Sequence, residues 1–143
     1  MKLISEGIKG RVAKYFSTRP EVKFAYLFGS QVKNDAGKLS DIDIAAYLDE
    51  KIDEYKRFDI RLDLIGEIGS LLKTNKIDLV ILNDVDIFLA YQVVFFGKVI
   101  YCRNELDRIR YEAKTLSLYF DQQYYYDRHA KLTIERIAKK GLL

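Results

Sequence analysis

The chain has 143 residues, 49% of them hydrophobic and 31% charged, and its 24 basic and 21 acidic side chains leave a net charge of +3. That length fits one domain, residues 1–143, with a single core and no separate substrate domain, and the apolar content excludes a disordered chain. The longest apolar stretch, Ile87 to Phe96, is broken by Gln92 and too short for a bilayer, while the interspersed charges argue against general nucleic-acid binding.

In chain order, Ile4, Ile8, Val12, Tyr15 and Phe16 recur at helical spacing up to Pro20, which ends a first amphipathic helix. This start does not read as a signal peptide, and the single cysteine, Cys102, has no partner, so a reducing cytoplasm is expected. Phe24 to Phe28 read as a short apolar strand, ended by Gly29-Ser30 where the chain turns toward a short helix. Ile42 to Leu48 reads as a buried strand, Tyr55, Phe58, Leu62, Ile65 and Leu72 mark a longer helix, and Ile77 to Leu82 is a third strand. Val85 to Phe96 reads as a helix with aromatic anchors stopped by Gly97, Lys98 to Cys102 as a short edge strand, and the chain is helical from Glu105 onward. The expected architecture is α/β (α+β), a small mixed sheet with helices packed on one side, a core over about 1–102 and C-terminal helices over about 103–143. The active site is expected at the end of the first hairpin-like strand pair.

Asp43 is the residue that this architecture does not explain. Aspartate is a poor strand former, yet it sits between Ile42 and Ile44 in an apolar run, where a bare carboxylate is expensive. Residues two apart on a strand point to one face about 6.6 to 7 Å apart, so Asp41 and Asp43 can share a patch. A cation between them removes the repulsion, and Mg²⁺ suits two carboxylates plus substrate phosphates. Upstream, Gly29 lets the backbone approach a phosphate, Ser30 adds a hydroxyl, and free N–H groups at a helix start favour an anion. Asp78 is out of place in the strand Ile77 to Leu82 in the same way. If that strand lies beside the one carrying Asp43, the three carboxylates can hold two cations about 3.5 to 4 Å apart, the arrangement for in-line phosphoryl displacement. Asp41 and Asp43 would bridge both, and Asp78 would hold the cation that activates the nucleophile and help to take its proton.

These motifs, Leu27-Phe28-Gly29-Ser30, then Asp41-Ile42-Asp43, then Ile77 to Asn83, resemble the minimal nucleotidyltransferases of the DNA polymerase beta superfamily. The resemblance continues through Leu89 to Tyr101 and the tail after Asp107, and is strongest to the antitoxins encoded beside a HEPN-domain ribonuclease toxin. It implies transfer of AMP from ATP to a tyrosine of that toxin, with two Mg²⁺ ions. It also implies Gly29, Ser30, Lys33 and Ser40 as nucleotide-binding residues, Asp41, Asp43 and Asp78 as metal-binding and catalytic acids, and Ser30 beside them in catalysis. The chain departs from the family where Arg often follows the Gly-Ser pair and Gly stands further on: here Gln31 and Asn34 occupy those places, and Lys33 keeps one positive charge. Gln31 lacks the bidentate fork of Arg.

Toward the end, Tyr119, Phe120, Tyr124, Tyr125 and Tyr126 are dense for a small core. They read either as a partner-docking surface or as rings packing the last two helices together. Arg128, Lys131, Arg136, Lys139 and Lys140 against the single acid Glu135 read as a solvated helix face, His129 as a surface residue, and Cys102 as a buried edge-strand residue without metal-ligand companions. Three functions follow. The first is AMP transfer to a HEPN toxin in a hetero- or homo-oligomer, the second a nucleotidyltransferase for an aminoglycoside-type small molecule, and the third a binding-only antitoxin.

Overall fold

The computed structural model describes residues 2–29 and 41–141. Ser30, Gln31, Lys33, Asn34 and Ser40, with the short helix expected after Ser30, lie outside them. The described elements run α1 (Lys2–Ser17), β1 (Val22–Phe28), β2 (Ile42–Leu48), α2 (Glu54–Leu72), β3 (Ile77–Ile81), α3 (Ile87–Phe96), β4 (Lys98–Cys102) and α4 (Glu105–Lys139). The strands form one mixed sheet in the order β3-β2-β1-β4. β1 pairs antiparallel with both β2 and β4, and β2 pairs parallel with β3.

Helices cover both faces of this sheet, where the sequence suggested one. The cause is visible in the two central strands, which are apolar at both parities. Ala25, Leu27, Ile44, Ala46 and Leu48 face one side and pack with Val12 and Phe16 of α1 and with Ile60, Leu64 and Ile68 of α2. Phe24, Tyr26 and Ala45 face the other and pack with Val93 of α3 and Tyr111 of α4. A strand that must bury both faces needs a layer on each.

Polar contacts hold these layers at fixed places. Tyr15 of α1 donates its hydroxyl to Glu67 of α2, and Arg19 bridges Glu21 at 3.1 Å and Glu67 at 3.2 Å. On the second face the buried Tyr26 donates to Glu112 of α4 at 2.6 Å, and burial together with Glu112 pushes that phenol well above its ordinary range. Helix α2 starts at Asp53, whose carboxylate accepts from Lys56 N–H at 2.8 Å, and ends at Lys73 in the left-handed region at φ 55°. Asp86 caps α3 in the same way, accepting from Leu89 N–H at 2.9 Å.

The C-terminal segment, expected to be helical from Glu105 onward, is one helix, α4. Its 35 residues make it about 52 Å long at 1.5 Å per residue. It starts on Asn104, whose side chain accepts from Leu106 and Asp107 N–H. The early part packs through Tyr111 and the buried Thr115, whereas residues from Asp121 to Arg136 are exposed throughout. His129 is among them, as expected, with its ring 4.1 Å from that of Tyr125. Cys102 is half-buried on edge strand β4, so the expectation of full burial is corrected.

One side chain closes the parallel pair at its far end. Asn83, just past β3, accepts from Leu48 N–H at 2.9 Å and donates to Leu48 C=O at 2.9 Å. Leu48 is fully buried, so both groups lose their partner together if the amide is removed. Asn83→Ala is expected to lower stability by about 2 to 3 kcal/mol in urea unfolding, the cost of stranding a buried donor and acceptor. A loss below about 0.5 kcal/mol would show that water replaces the clamp.

Candidate active site

Strand parity decides where the acids point. Ile42 and Ile44 belong to the α1/α2 face, so Asp43 between them projects to the face that carries Ala45, α3 and α4. In β3, Leu79 and Ile81 take the first face, which turns Asp78 to the same side as Asp43. Parallel pairing then sets the two directly beside one another, Asp43 opposite Asp78, with Ile42 opposite Ile77. The pairing begins where Ile42 N–H donates to Lys76 C=O at 2.9 Å. Asp41 stands one residue before β2 and is exposed.

The electrostatics follow from that placement. Burial, the negative charges of Asp78 and Asp41, and a carboxyl–carboxyl hydrogen bond with Asp78 all push the Asp43 carboxyl above its ordinary value. Like charges brought together by a backbone ladder are a place where a cation would be stabilising. Three oxygen-donor acids are chemically suited to Mg²⁺. Among the described residues, however, no three His, Cys, Asp or Glu side chains stand in metal-holding geometry, so the convergence expected of Asp41, Asp43 and Asp78 is seen here as a pair with a neighbour.

Gly29 closes the site from the β1 side. Phe28, the last residue of β1, pairs with Asp43, and Gly29 turns away at φ 76°. A Cβ there would lie 2.9 Å from the Asp43 carboxyl carbon and closer still to Oδ2. The sequence assigned this glycine to phosphate approach; the structure shows a carboxylate already resting against it. Gly97 does a comparable thing nearby. Its added Cβ would strike Val93 C=O and lie 3.2 Å from Leu27 C=O, so the end of α3 is pressed onto the end of β1. In the sequence Gly97 read only as a helix stop.

A cavity of about 630 Å³ opens at the other end of the same sheet face, lined in part by Tyr47, Asn83, Arg57, Asp107, Tyr111 and Thr115, and none of the three acids borders it. Several charges near it are paired, with Lys23 bridging Glu50 at 2.9 Å and Asp107 at 3.3 Å and Arg57 pairing with Asp84, while Arg110 and Lys114 also line it. Its floor is the ring stack of Phe24 on Tyr47 at 4.8 Å, with Tyr111 against both.

Removing the charge at Asp43 should reveal the repulsion. An aspartate with a raised folded-state pKa contributes stability below its unfolded pKa and loses it as pH rises through the folded value. Metal-free Asp43→Asn is thus expected to melt above wild type at neutral pH, with the gap closing as pH falls to the ordinary carboxylate range and below. Equal melting curves at pH 7 would remove the like-charge argument. Gly29→Ala should cost at least about 1 to 2 kcal/mol from the left-handed backbone alone, measured by the same melts.

Comparisons with known proteins show the family. Residues 11–106 match the family model described as polymerase beta, nucleotidyltransferase. The protein adenylyltransferase MntA of Shewanella oneidensis is 31% identical over 100 residues, which cover 70% of this chain and 68% of that protein. A crystal structure of a toxin–antitoxin with AMP-PNP superposes with a TM-score of 0.70 at 27% identity, covering 88% of this chain and 98% of the other. The MNT antitoxin in complex with a tri-AMPylated Shewanella oneidensis HEPN toxin gives a TM-score of 0.63 at 26% identity, covering 94% and 99%. This chain belongs to the polymerase beta nucleotidyltransferase family, in its minimal branch of MntA-like antitoxins, and is a nucleotidyl-transferring enzyme.

Proposed function

We propose that this chain is a Mg²⁺-dependent adenylyltransferase that moves AMP from ATP to a tyrosine of a HEPN-domain toxin in the cytoplasm, and so acts as its antitoxin. The observation that carries the reading is the in-register contact of Asp43 with Asp78 beneath the Gly29 turn. Support also comes from the relatives, one a protein adenylyltransferase and another bound to an AMPylated toxin.

In this reading Asp41, Asp43 and Asp78 hold two Mg²⁺ ions, which when bound supply Lewis acidity toward the phosphate oxygens. Gly29, Ser30, Lys33 and Ser40 bind and orient the triphosphate, with Ser30 at the reacting phosphate and Lys33 as the point charge where Gln31 contributes none. Asp78 accepts the proton of the tyrosine hydroxyl as it attacks. The tyrosine oxygen forms a bond to the α-phosphorus, the bond from that phosphorus to the bridging oxygen breaks in line, and pyrophosphate leaves. Asp43, between the other two acids, must be ionised for this, and bound cations would favour the carboxylate that burial, Asp78 and Asp41 disfavour in their absence. In this reading the acceptor is brought by a second protein in a hetero-oligomer, supported by the relative whose antitoxin is bound to an AMPylated HEPN toxin.

The test is incubation with ATP labelled on the α-phosphate, Mg²⁺ and the HEPN toxin encoded beside this chain. Label is expected on a toxin tyrosine, and Asp43→Ala should reduce it to below about 1% of wild type while the complex still forms. A stable complex without label would favour a binding-only antitoxin, and label surviving in Asp43→Ala would sink the role given to that residue.

A further inference from the structure

Helix α3 is apolar on nearly every side, yet it buries only Ala90 and Val93. The rings on its outer side are left in water: Phe88 is 42%, Phe95 60% and Phe96 55% exposed. They do not stand singly. Tyr126 of α4 packs on Phe88 at 6.0 Å, Phe88 on Tyr119 at 6.0 Å, and Tyr119 stacks on Tyr91 at 3.7 Å and 8°. Tyr91 continues to Phe95 at 5.4 Å, and Phe95 to Phe96 at 4.9 Å. The result is one continuous ladder of rings, with Phe120, 56% exposed, alongside Tyr91.

The direction of this ladder is informative. It starts on the part of α4 that leaves the body of the molecule and ends at Phe96, one residue before Gly97. Gly97 is pressed against Leu27 C=O, and Leu27 lies one residue before the Phe28 that pairs with Asp43. Strip and acids also share a sheet face, since α3 packs on the Ala45 side to which Asp43 projects. An exposed apolar strip of this kind, enriched in Phe and Tyr, has the composition of an interface centre. A strip that ends at a catalytic end suits the macromolecule on which the catalysis acts.

We infer that the aromatic ladder from Tyr126 to Phe96 is the surface on which the protein acceptor docks, so that its tyrosine hydroxyl reaches the Asp43–Asp78 end. This rests on the reading of the chain as a protein adenylyltransferase. The occupant is an apolar helical face of the toxin, adjacent to the acceptor tyrosine and followed by acidic residues. Those acids would meet Arg128, Lys131 and Arg136 of α4, which are exposed beyond the ladder. Apolar rings give the affinity there and the basic helix end the direction of approach.

The experiment uses the full chain with the adjacent HEPN toxin, comparing wild type with Phe96→Asp/Phe120→Asp. Both positions are more than half exposed, so the fold should survive, and the thermal shift on adding ATP and Mg²⁺ checks both the fold and the nucleotide site. The expected result is a complex weakened at least about 100-fold with label on the toxin lost in parallel, tenfold or more for each interface aromatic, and an unchanged nucleotide-induced shift. Unchanged affinity of the double variant would overturn the proposal. So would a wild-type chain that is dimeric alone and made monomeric by the variant, because the strip would then serve a second copy. Wild type that binds without labelling, with binding lost in the variant, would defeat the adenylyltransferase reading and leave the docking surface standing.

Discussion

Two carboxylates are held beside each other by backbone hydrogen bonds that have no regard for their charge. The β2–β3 ladder puts Asp43 opposite Asp78 because Ile42, Ile44 and Ala46 are opposite Ile77, Leu79 and Ile81. Those apolar residues pack against α1 and α2, and a one-residue slip would turn all of them to the opposite face of the sheet. Burial on the far face therefore pins the register that brings the acids together on the near one. Parallel pairing requires a crossover, which is supplied by α2, with capping by Asp53 and Lys73 at its two ends. The Asn83 clamp on Leu48 fixes the same pair at the end away from the acids.

The second face is divided along its length. At one end Phe24, Tyr47 and Tyr111 fill the space between sheet and α4 with stacked rings. At the other the side chains become carboxylates, and two glycines let the chain crowd in on them. Gly29 admits the Asp43 carboxyl, and Gly97 admits the carbonyls of Val93 and Leu27. A methyl group at either place would separate elements that have to touch. One sheet face thus serves as core over half its extent and as reactive surface over the rest, so the same packing that stabilises the domain orients its chemistry.

Much of this was legible in residue order because the anomalies were local. Asp43 and Asp78 each interrupt an apolar strand, and their oddity needs no knowledge of what lies nearby. Their adjacency was inferred, and could only be inferred, since strand order is set by non-local pairing. The helix layers differ from the one-sided expectation because Ala45 and Ala46 are apolar at consecutive positions, a sign of burial on both faces. The continuity of the C-terminal helix is legible too, since residues 105–139 hold no Gly or Pro to break it, but a helix of 35 residues exceeds what a small domain can cover. Phe95 and Phe96 read as anchors because hydrophobic residues are usually inside, a rule that runs only one way.

That excess of helix bears on how a domain this small acquires specificity. Enzymes of this chemistry must position an acceptor to within a fraction of an ångström of productive geometry, and positioning takes surface. Here the sheet and its four helices supply the acids and a core. What the chain has in surplus is the outer half of α4, exposed from Asp121 onward with Tyr124, Tyr125, Leu132 and Ile134 in solvent, and the rings of α3 that lead from it to the acids. A free helix bearing such side chains is stabilised mainly by what packs on it. In the proposed complex the acceptor protein would supply that packing: its docking would complete the burial of α3 and α4 and order the approach to Asp43 and Asp78 in one event. Binding and substrate selection become the same interaction, and a molecule without the complementary face has neither the affinity nor the alignment to be modified.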